Sequence, residues 1–208
     1  EIAARAHSER IDICTKEAIK LANISLKDID LICVTCGPGL IGGLLSGVMF
    51  AKGLAKGLNK PIIGVNHLAA HCFSVKMIHK LDCPYLTLLV SGGHCQFLIV
   101  KGFDSFIRLG GTIDDAPGEC FDKIASFLGI GYPGGPIIET RSKKGNEERF
   151  DFPKPMYDST FNMSFSGLKT AVKRETENLI KKQGGLYQKD INDICASFQK
   201  TATEIFKL

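Results

Sequence analysis

Leu31-Ile32-Cys33-Val34-Thr35-Cys36-Gly37-Pro38-Gly39-Leu40-Ile41-Gly42-Gly43-Leu44-Leu45-Ser46-Gly47-Val48-Met49-Phe50-Ala51 is a run of 21 residues without a charge, long enough to span a bilayer. As one helix it would make this a membrane protein. It does not read as one helix, because Cys36-Gly37-Pro38-Gly39 interrupts it after five residues and Gly42-Gly43 follows. The reading it supports is a buried strand over Leu31–Thr35, an exit turn at Gly37-Pro38-Gly39, and a buried, Gly-rich helix over Ile41–Leu58 packed against a sheet. Strand, turn and helix of this kind are the repeating unit of an α/β protein.

Working outward, Ile2–Ala22 carries Ala3, Ala6, Ile11, Cys14, Ala18 and Leu21 at mostly helical spacing, and Ser25-Leu26-Lys27-Asp28 has the form of a capping turn. Downstream, Pro61–Val65 reads as a strand and His67–His79 as a helix that Pro84 closes. Tyr85–Ser91 and Cys95–Val100 are β-rich runs joined by Gly92-Gly93-His94, the pattern of a hairpin, with a third strand at Phe106–Leu109. Pro117–Leu128 is helical, residues 129–136 are too rich in Gly and Pro for regular structure, and 142–163 is a polar connector. Gly167–Lys182 and Ile191–Leu208 read as helices, the last without a cap, which leads us to expect a C-terminal continuation. Strand–helix alternation before Pro84 and hairpin strands followed by helices after it predict two lobes, residues 1–83 and 84–208.

The 208 residues, 44% hydrophobic and 23% charged, exclude a disordered, collagenous or coiled-coil chain. The balance of 26 basic and 22 acidic residues, a net charge of +4, is mild; it suits an RNA partner without requiring one. No basic start with an apolar core marks a signal peptide. The eight cysteines sit mostly in apolar runs and read as reduced cytosolic thiols. Cys33-x-x-Cys36 places its thiols on opposite faces of a strand and has no second pair, which argues against a zinc site.

Four stretches carry candidate chemistry. His67-Leu68-Ala69-Ala70-His71 puts two imidazoles one helical turn apart, the spacing that lets both grip one ion, or simply two partly buried histidines at a helix start. The glutamate of the His-Glu-x-x-His peptidases is missing. Ser91-Gly92-Gly93-His94 exposes successive backbone N–H groups that suit a phosphate or carboxylate, or is merely a tight turn. Asp114, Asp115 and Glu119 lie near a helix start, where acids serve as caps, whereas Asp122, one turn further in, either points into a cleft toward ribose hydroxyls or pairs with Lys123. Tyr132-Pro133-Gly134-Gly135-Pro136 permits close approach of a ligand to the backbone, or is a plain connector, and Phe161-Asn162-Met163-Ser164-Phe165-Ser166 before a helix reads as an N-cap with a hydrophobic staple.

The order and wording of these motifs resemble the TsaD/Kae/Gcp family of tRNA threonylcarbamoyladenosine synthases, once labelled O-sialoglycoprotein endopeptidases. The pieces are Glu1-Ile2-Ala3-Ala4-Arg5-Ala6-His7, Gly37-Pro38-Gly39-Leu40, His67…His71, Leu89-Val90-Ser91-Gly92-Gly93-His94-Cys95-Gln96, Ile113-Asp114-Asp115-Ala116 through Phe121-Asp122-Lys123, Tyr132-Pro133-Gly134-Gly135-Pro136 and Ser164-Phe165-Ser166-Gly167-Leu168-Lys169-Thr170. The resemblance implies a two-lobed α/β fold of the actin/Hsp70/sugar-kinase type, incomplete here at both ends. It implies transfer of a threonylcarbamoyl group from threonylcarbamoyl-AMP to the adenosine next to the anticodon of tRNA. His67 and His71 match metal ligands for iron or zinc; Leu89, Val90, Ser91, Gly92, Gly93, Asp122, Gly135 and Glu139 match substrate contacts; no residue is assigned as the catalytic acid or base.

The wording is bacterial, with His94 after the Gly-Gly and Leu168-Lys169-Thr170 after Ser-Phe-Ser-Gly. It implies a TsaB-like paralogue and a TsaE-like ATPase as partners, no membrane, and a cytoplasmic location, or a mitochondrion or plastid in a eukaryote. The family's N-terminal Glu-Thr-Ser-Cys-Asp-Glu-Thr loop and its C-terminal Asn and third metal ligand have no counterpart in the chain, and Leu68, Ala69, Ala70, Cys95, Pro117 and Cys120 depart from the usual residues. The alternatives are an inactive remnant or scaffold that binds a TsaB-like partner, a metallopeptidase, disfavoured by the missing base, and a sugar kinase or ATPase on the same fold.

Overall fold

The computed structural model describes residues 2–156 and 161–207, so Glu1 of the opening motif, positions 157–160 of the polar connector and Leu208 lie outside the described residues. The chain divides into two compact units, Glu1–Leu81 and Asp82–Leu208.

In the first unit, the helix α1 (Ile2–Ala22) leads to the expected capping turn, where Lys27 N donates to Ser25 Oγ (3.2 Å) and Ser25 N donates to the Asp28 carboxylate (2.8 Å). The 21-residue uncharged run breaks where the glycines predict: strand β1 is Ile32–Gly37 and helix α2 is Ile41–Leu58. Strand β2 (Ile62–Asn66) pairs with β1 in parallel, Ile32 opposite Ile62, with a register shift between Thr35 and Gly37. α2 lies on this sheet, burying Ala51 and Ala55 against Ile32, and its other side meets α1, where Ser8 Oγ donates to Ser46 Oγ (3.0 Å).

Strand and helix are less buried than expected. A helix covers one face of a two-stranded sheet, so Cys33, Thr35 and Ile63 on β1 and β2 stay exposed, as do Leu40, Ile41, Leu45 and Met49 around the start of α2. Among the described residues α2 alone is long and apolar enough to cross a membrane. Its packing on β1 and its exposed Lys52 and Lys56, one turn apart, give it instead the two-faced character of a surface helix.

Helix α3 spans His67–Ser74 and passes into a 3-10 turn over Val75–Met77, shorter than the helix expected to His79. Ser74 Oγ donates to the His71 carbonyl (2.7 Å), a local bond that competes with helix propagation.

The second unit holds an antiparallel sheet of β3 (Tyr85–Val90), β4 (Cys95–Gly102) and β5 (Ser105–Gly111), in that order. Val90 opposes Cys95, leaving Ser91–His94 as a four-residue turn. Among the described residues four helices follow: α4 (Pro117–Phe127), α5 (Gly134–Ser142), α6 (Ser166–Gln183) and α7 (Gln188–Ile205). Their core is one cluster in which Ile124, Ile138, Phe165, Val172, Ile194 and Phe198 are fully buried.

Two expectations are corrected here. α5 begins inside the Gly-Pro stretch read as irregular, because the Asp122 carboxylate accepts from Gly134 N (2.7 Å) and Pro136 falls in the first turn, where its missing N–H costs nothing. α7 begins at Gln188 rather than Ile191, since Tyr187 N donates to the Asp190 side chain (3.2 Å), which satisfies a backbone donor at the helix start.

Residues 143–152 carry no helix or strand and are held instead by ion pairs and hydrogen bonds to α7. Arg149 forks between Asp190 (2.6 Å) and Asp193 (2.8 Å), while Asn146 N donates to Asp193 (2.7 Å). Burial by itself would raise both carboxyls, but hydrogen bonds from Gln183, Asn146 N and Arg149 outweigh it and hold them below the ordinary value.

All eight cysteines are free thiols. Burial pushes Cys95 up to about 11 and Cys120 and Cys195 to about 12, so these three are inert packing groups.

Candidate functional site

The histidine pair is built by the end of β2. Asn66 Oδ1 accepts from Leu68 N (2.9 Å) and Ala69 N (3.1 Å), which caps α3 and makes His67 its first residue and His71 its neighbour one turn on. Both rings are exposed, edge to face with centroids 4.5 Å apart and Nε2 atoms separated by 3.2 Å. Two nitrogens bound to one tetrahedral ion at ordinary bond lengths lie about 3.3 Å apart. The pair therefore fits one borderline cation such as iron or zinc, or a hydrogen bond from one ring to the other. Among the described residues no group of three His, Cys, Asp or Glu side chains is placed to complete a ligand set.

The other expected contacts lie in the second unit, on the β3–β4 hairpin, on α4 and on α5. At the hairpin tip Ser91 N donates to His94 O (2.7 Å) and His94 N to Ser91 Oγ (3.0 Å), and among the described hydrogen bonds the N–H groups of Gly92 and Gly93 have no partner. Leu89 is buried and Val90 exposed. The tip abuts the start of α4: a Cβ on Gly118 would lie 2.7 Å from Gly92 Cα, so glycine is required for that approach. Sequence reasoning missed Gly118, whose signal is a poor helix former in the first turn.

Asp122 follows Gly118 by one turn, on the same face. It does not pair with Lys123, which goes instead to Asp115 (3.1 Å) and Glu119 (2.7 Å). One oxygen of Asp122 accepts from Gly134 N, and at Gly134 a Cβ would lie 2.5 Å from Phe121 O, whereas Gly135 faces open space. Glu139, one turn along α5, is exposed and paired with Lys143 (2.8 Å), whose hydrogen bond holds its carboxyl below the ordinary value. Hairpin tip, Asp122 and Gly135 thus line one corner with backbone donors and a carboxylate acceptor, a donor set suited to a nucleoside and its acidic substituents.

The first unit thus carries an exposed imidazole pair, and the second a corner of backbone donors and one carboxylate acceptor, groups of the class that bind ions and polar ligands. Comparison makes the class specific. The family model described as TsaD, tRNA N6-adenosine threonylcarbamoyltransferase, matches residues 1–207. The tRNA N6-adenosine threonylcarbamoyltransferase of Paracoccus denitrificans (strain Pd 1222) is 55% identical over 206 residues, 99% of this chain and 58% of that protein. That of Jannaschia sp. (strain CCS1) is 57% identical over 206 residues, again 99% of this chain and 57% of its own length. The chain belongs to the TsaD family, and it spans less than three fifths of the curated relatives it matches. Among solved structures, YeaZ from Pseudomonas aeruginosa aligns over 88% of this chain and 81% of its own at 13% identity, with a TM-score of 0.39, too low to carry an argument.

Proposed function

We propose that this chain forms part of a transferase that moves a threonylcarbamoyl group from threonylcarbamoyl-AMP to the N6 amine of adenosine in tRNA. The match of the family model across residues 1–207 carries this reading. In the transfer the N6 nitrogen forms a bond to the carbamoyl carbon, the bond from that carbon to the phosphate oxygen breaks, and AMP leaves with the electron pair. The amine gives up a proton.

The chain's own residues bind and orient. Gly92 and Gly93 offer backbone donors to the carboxylate or phosphate oxygens, Asp122 offers its second oxygen to a ribose hydroxyl, and Gly135 at the start of α5 and Glu139 one turn along it offer further contacts. His67 and His71 would hold an iron or zinc ion, which when bound supplies a Lewis acid. With two chain ligands, the rest of the set comes from elsewhere in the complete protein or from substrate.

The partners we infer are tRNA, a TsaB-like paralogue and a TsaE-like ATPase, in the cytoplasm, in keeping with the bacterial relatives. A scaffold role that needs no catalysis is the second reading, favoured by the exposed apolar start of α2 at Leu40, Ile41, Leu45 and Met49.

The test is complementation of a bacterium depleted of its own enzyme, with threonylcarbamoyladenosine in tRNA measured by mass spectrometry. Restoration by the full-length protein but not by these 208 residues would make the chain one part of the enzyme. Restoration by neither, with a matched partner and soluble expression, would favour the scaffold.

A further inference from the structure

Asp114 accepts far more than a helix cap needs. One carboxylate oxygen takes Phe165 N (2.8 Å) and Ser166 N (3.4 Å), and the other takes Ser164 Oγ (2.5 Å) and Ser166 Oγ (2.7 Å). It therefore caps α6 from a loop some fifty residues earlier in the chain, not the helix α4 that it precedes. Asp115 beside it bridges Lys123 of α4 and Lys169 of α6.

The loop 112–116 that carries this pair is tied at its first end to the strand that leaves the hairpin tip, is braced within itself, and runs at its second end into the part of α4 that packs on the tip. Thr112 N donates to the carbonyl of Cys95 (2.9 Å), the residue that follows the turn, and Thr112 Oγ1 donates to Asp115 O (2.8 Å). Past the loop, Pro117 and Gly118 open α4, where Gly118 sits against Gly92 with no room for a side chain.

We propose that Asp114 is a positioning residue: by fastening the loop 112–116 to the start of α6, it fixes the gap between the hairpin tip and α4 and so the shape of the adenylate site. The effect on binding rests on the function proposed above; the effect on the gap does not. Burial alone would raise the Asp114 carboxyl, but the donors from Ser164, Phe165 and Ser166 outweigh it and keep the carboxyl below its ordinary value, consistent with a charged acceptor.

The experiment uses the full-length protein with Asp114→Asn, Ser166→Ala and, as the conservative change, Ser166→Thr. Hydrogen exchange is read at residues 91–95 and 117–120, and AMP binding by calorimetry. Asp114→Asn should speed exchange at both segments and weaken AMP binding about tenfold, as expected for losing hydrogen bonds to a charged group. Ser166→Ala should do the same to a smaller degree, and Ser166→Thr should stay near the parent.

If exchange quickens only around residues 164–169 and the affinity for AMP is unchanged, Asp114 is a cap for α6 and the proposal is wrong. Should Asp114→Asn not fold, Ser166→Ala decides by the same criteria. If the parent protein does not bind AMP, the adenylate reading fails, and exchange at the tip still decides the positioning.

Discussion

His67 and His71 stand out as residues because nothing in the fold consumes them: both are exposed, and their Nε2 atoms face each other at 3.2 Å. Exposed histidines contribute little packing, so replacing both by alanine in the full-length protein should leave the melting temperature of the metal-free protein nearly unchanged, while bound iron or zinc falls to background. Elemental analysis checks this, and undiminished metal would assign the ion elsewhere. Asp122 differs in being partly committed, since it already accepts from Gly134 N. Asp122→Ala removes that bond and the free oxygen together, and should weaken AMP binding by about 1–3 kcal/mol, the range for bonds to a charged acceptor. An unchanged calorimetric affinity would leave Asp122 a purely structural link between α4 and α5.

At the scale of elements, the loop that carries Arg149 is the piece whose stability rests on charge. Arg149→Leu would leave Asp190 and Asp193 buried without their cation, at a cost of about 3 kcal/mol, the low end for stripping a buried pair, because the Arg149 side chain is itself 31% exposed. Chemical denaturation of parent and variant measures the difference, and a loss under about 1 kcal/mol would reduce the cluster to a surface ion pair. The same loop shows why parts of the fold were not legible. β1, its turn and α2 could be read because Gly37-Pro38-Gly39 punctuates an apolar run, a local signal, and the hairpin could be read from Gly92-Gly93 for the same reason. The start of α5 depends on Asp122, twelve positions earlier, and the cap of α6 on Asp114, some fifty earlier, so no window of local pattern contains either cause. The site divides the same way. The histidine pair and the hairpin tip lie in short motifs, whereas the role of Gly118 is visible only once the tip is laid against it.

On the scale of the whole molecule, the two units have unequal means of staying folded, and acid adds a second difference. Asp190 and Asp193 titrate below the ordinary 3.8 in the folded state, so their ion cluster contributes fully above that value and is lost as pH falls through the depressed values. Melting followed between about pH 5 and pH 2 should show the second unit losing stability, with a flatter dependence in Arg149→Leu. Among the described residues the first unit buries few apolar side chains: Ile32, Ala51 and Ala55 under a parallel sheet of two strands, and Cys72 of α3. Parallel sheets are ordinarily covered on both faces, and two strands alone are marginal. The second unit encloses a continuous core from Cys95 to Ile205. Hydrogen exchange on the 208-residue chain should therefore find the amides of β1 and β2 opening orders of magnitude more often than those of β4 and α7, because local opening follows buried apolar contact. Equal protection within about tenfold would mean that α1 and α2 hold the first sheet more firmly than its burial accounts for.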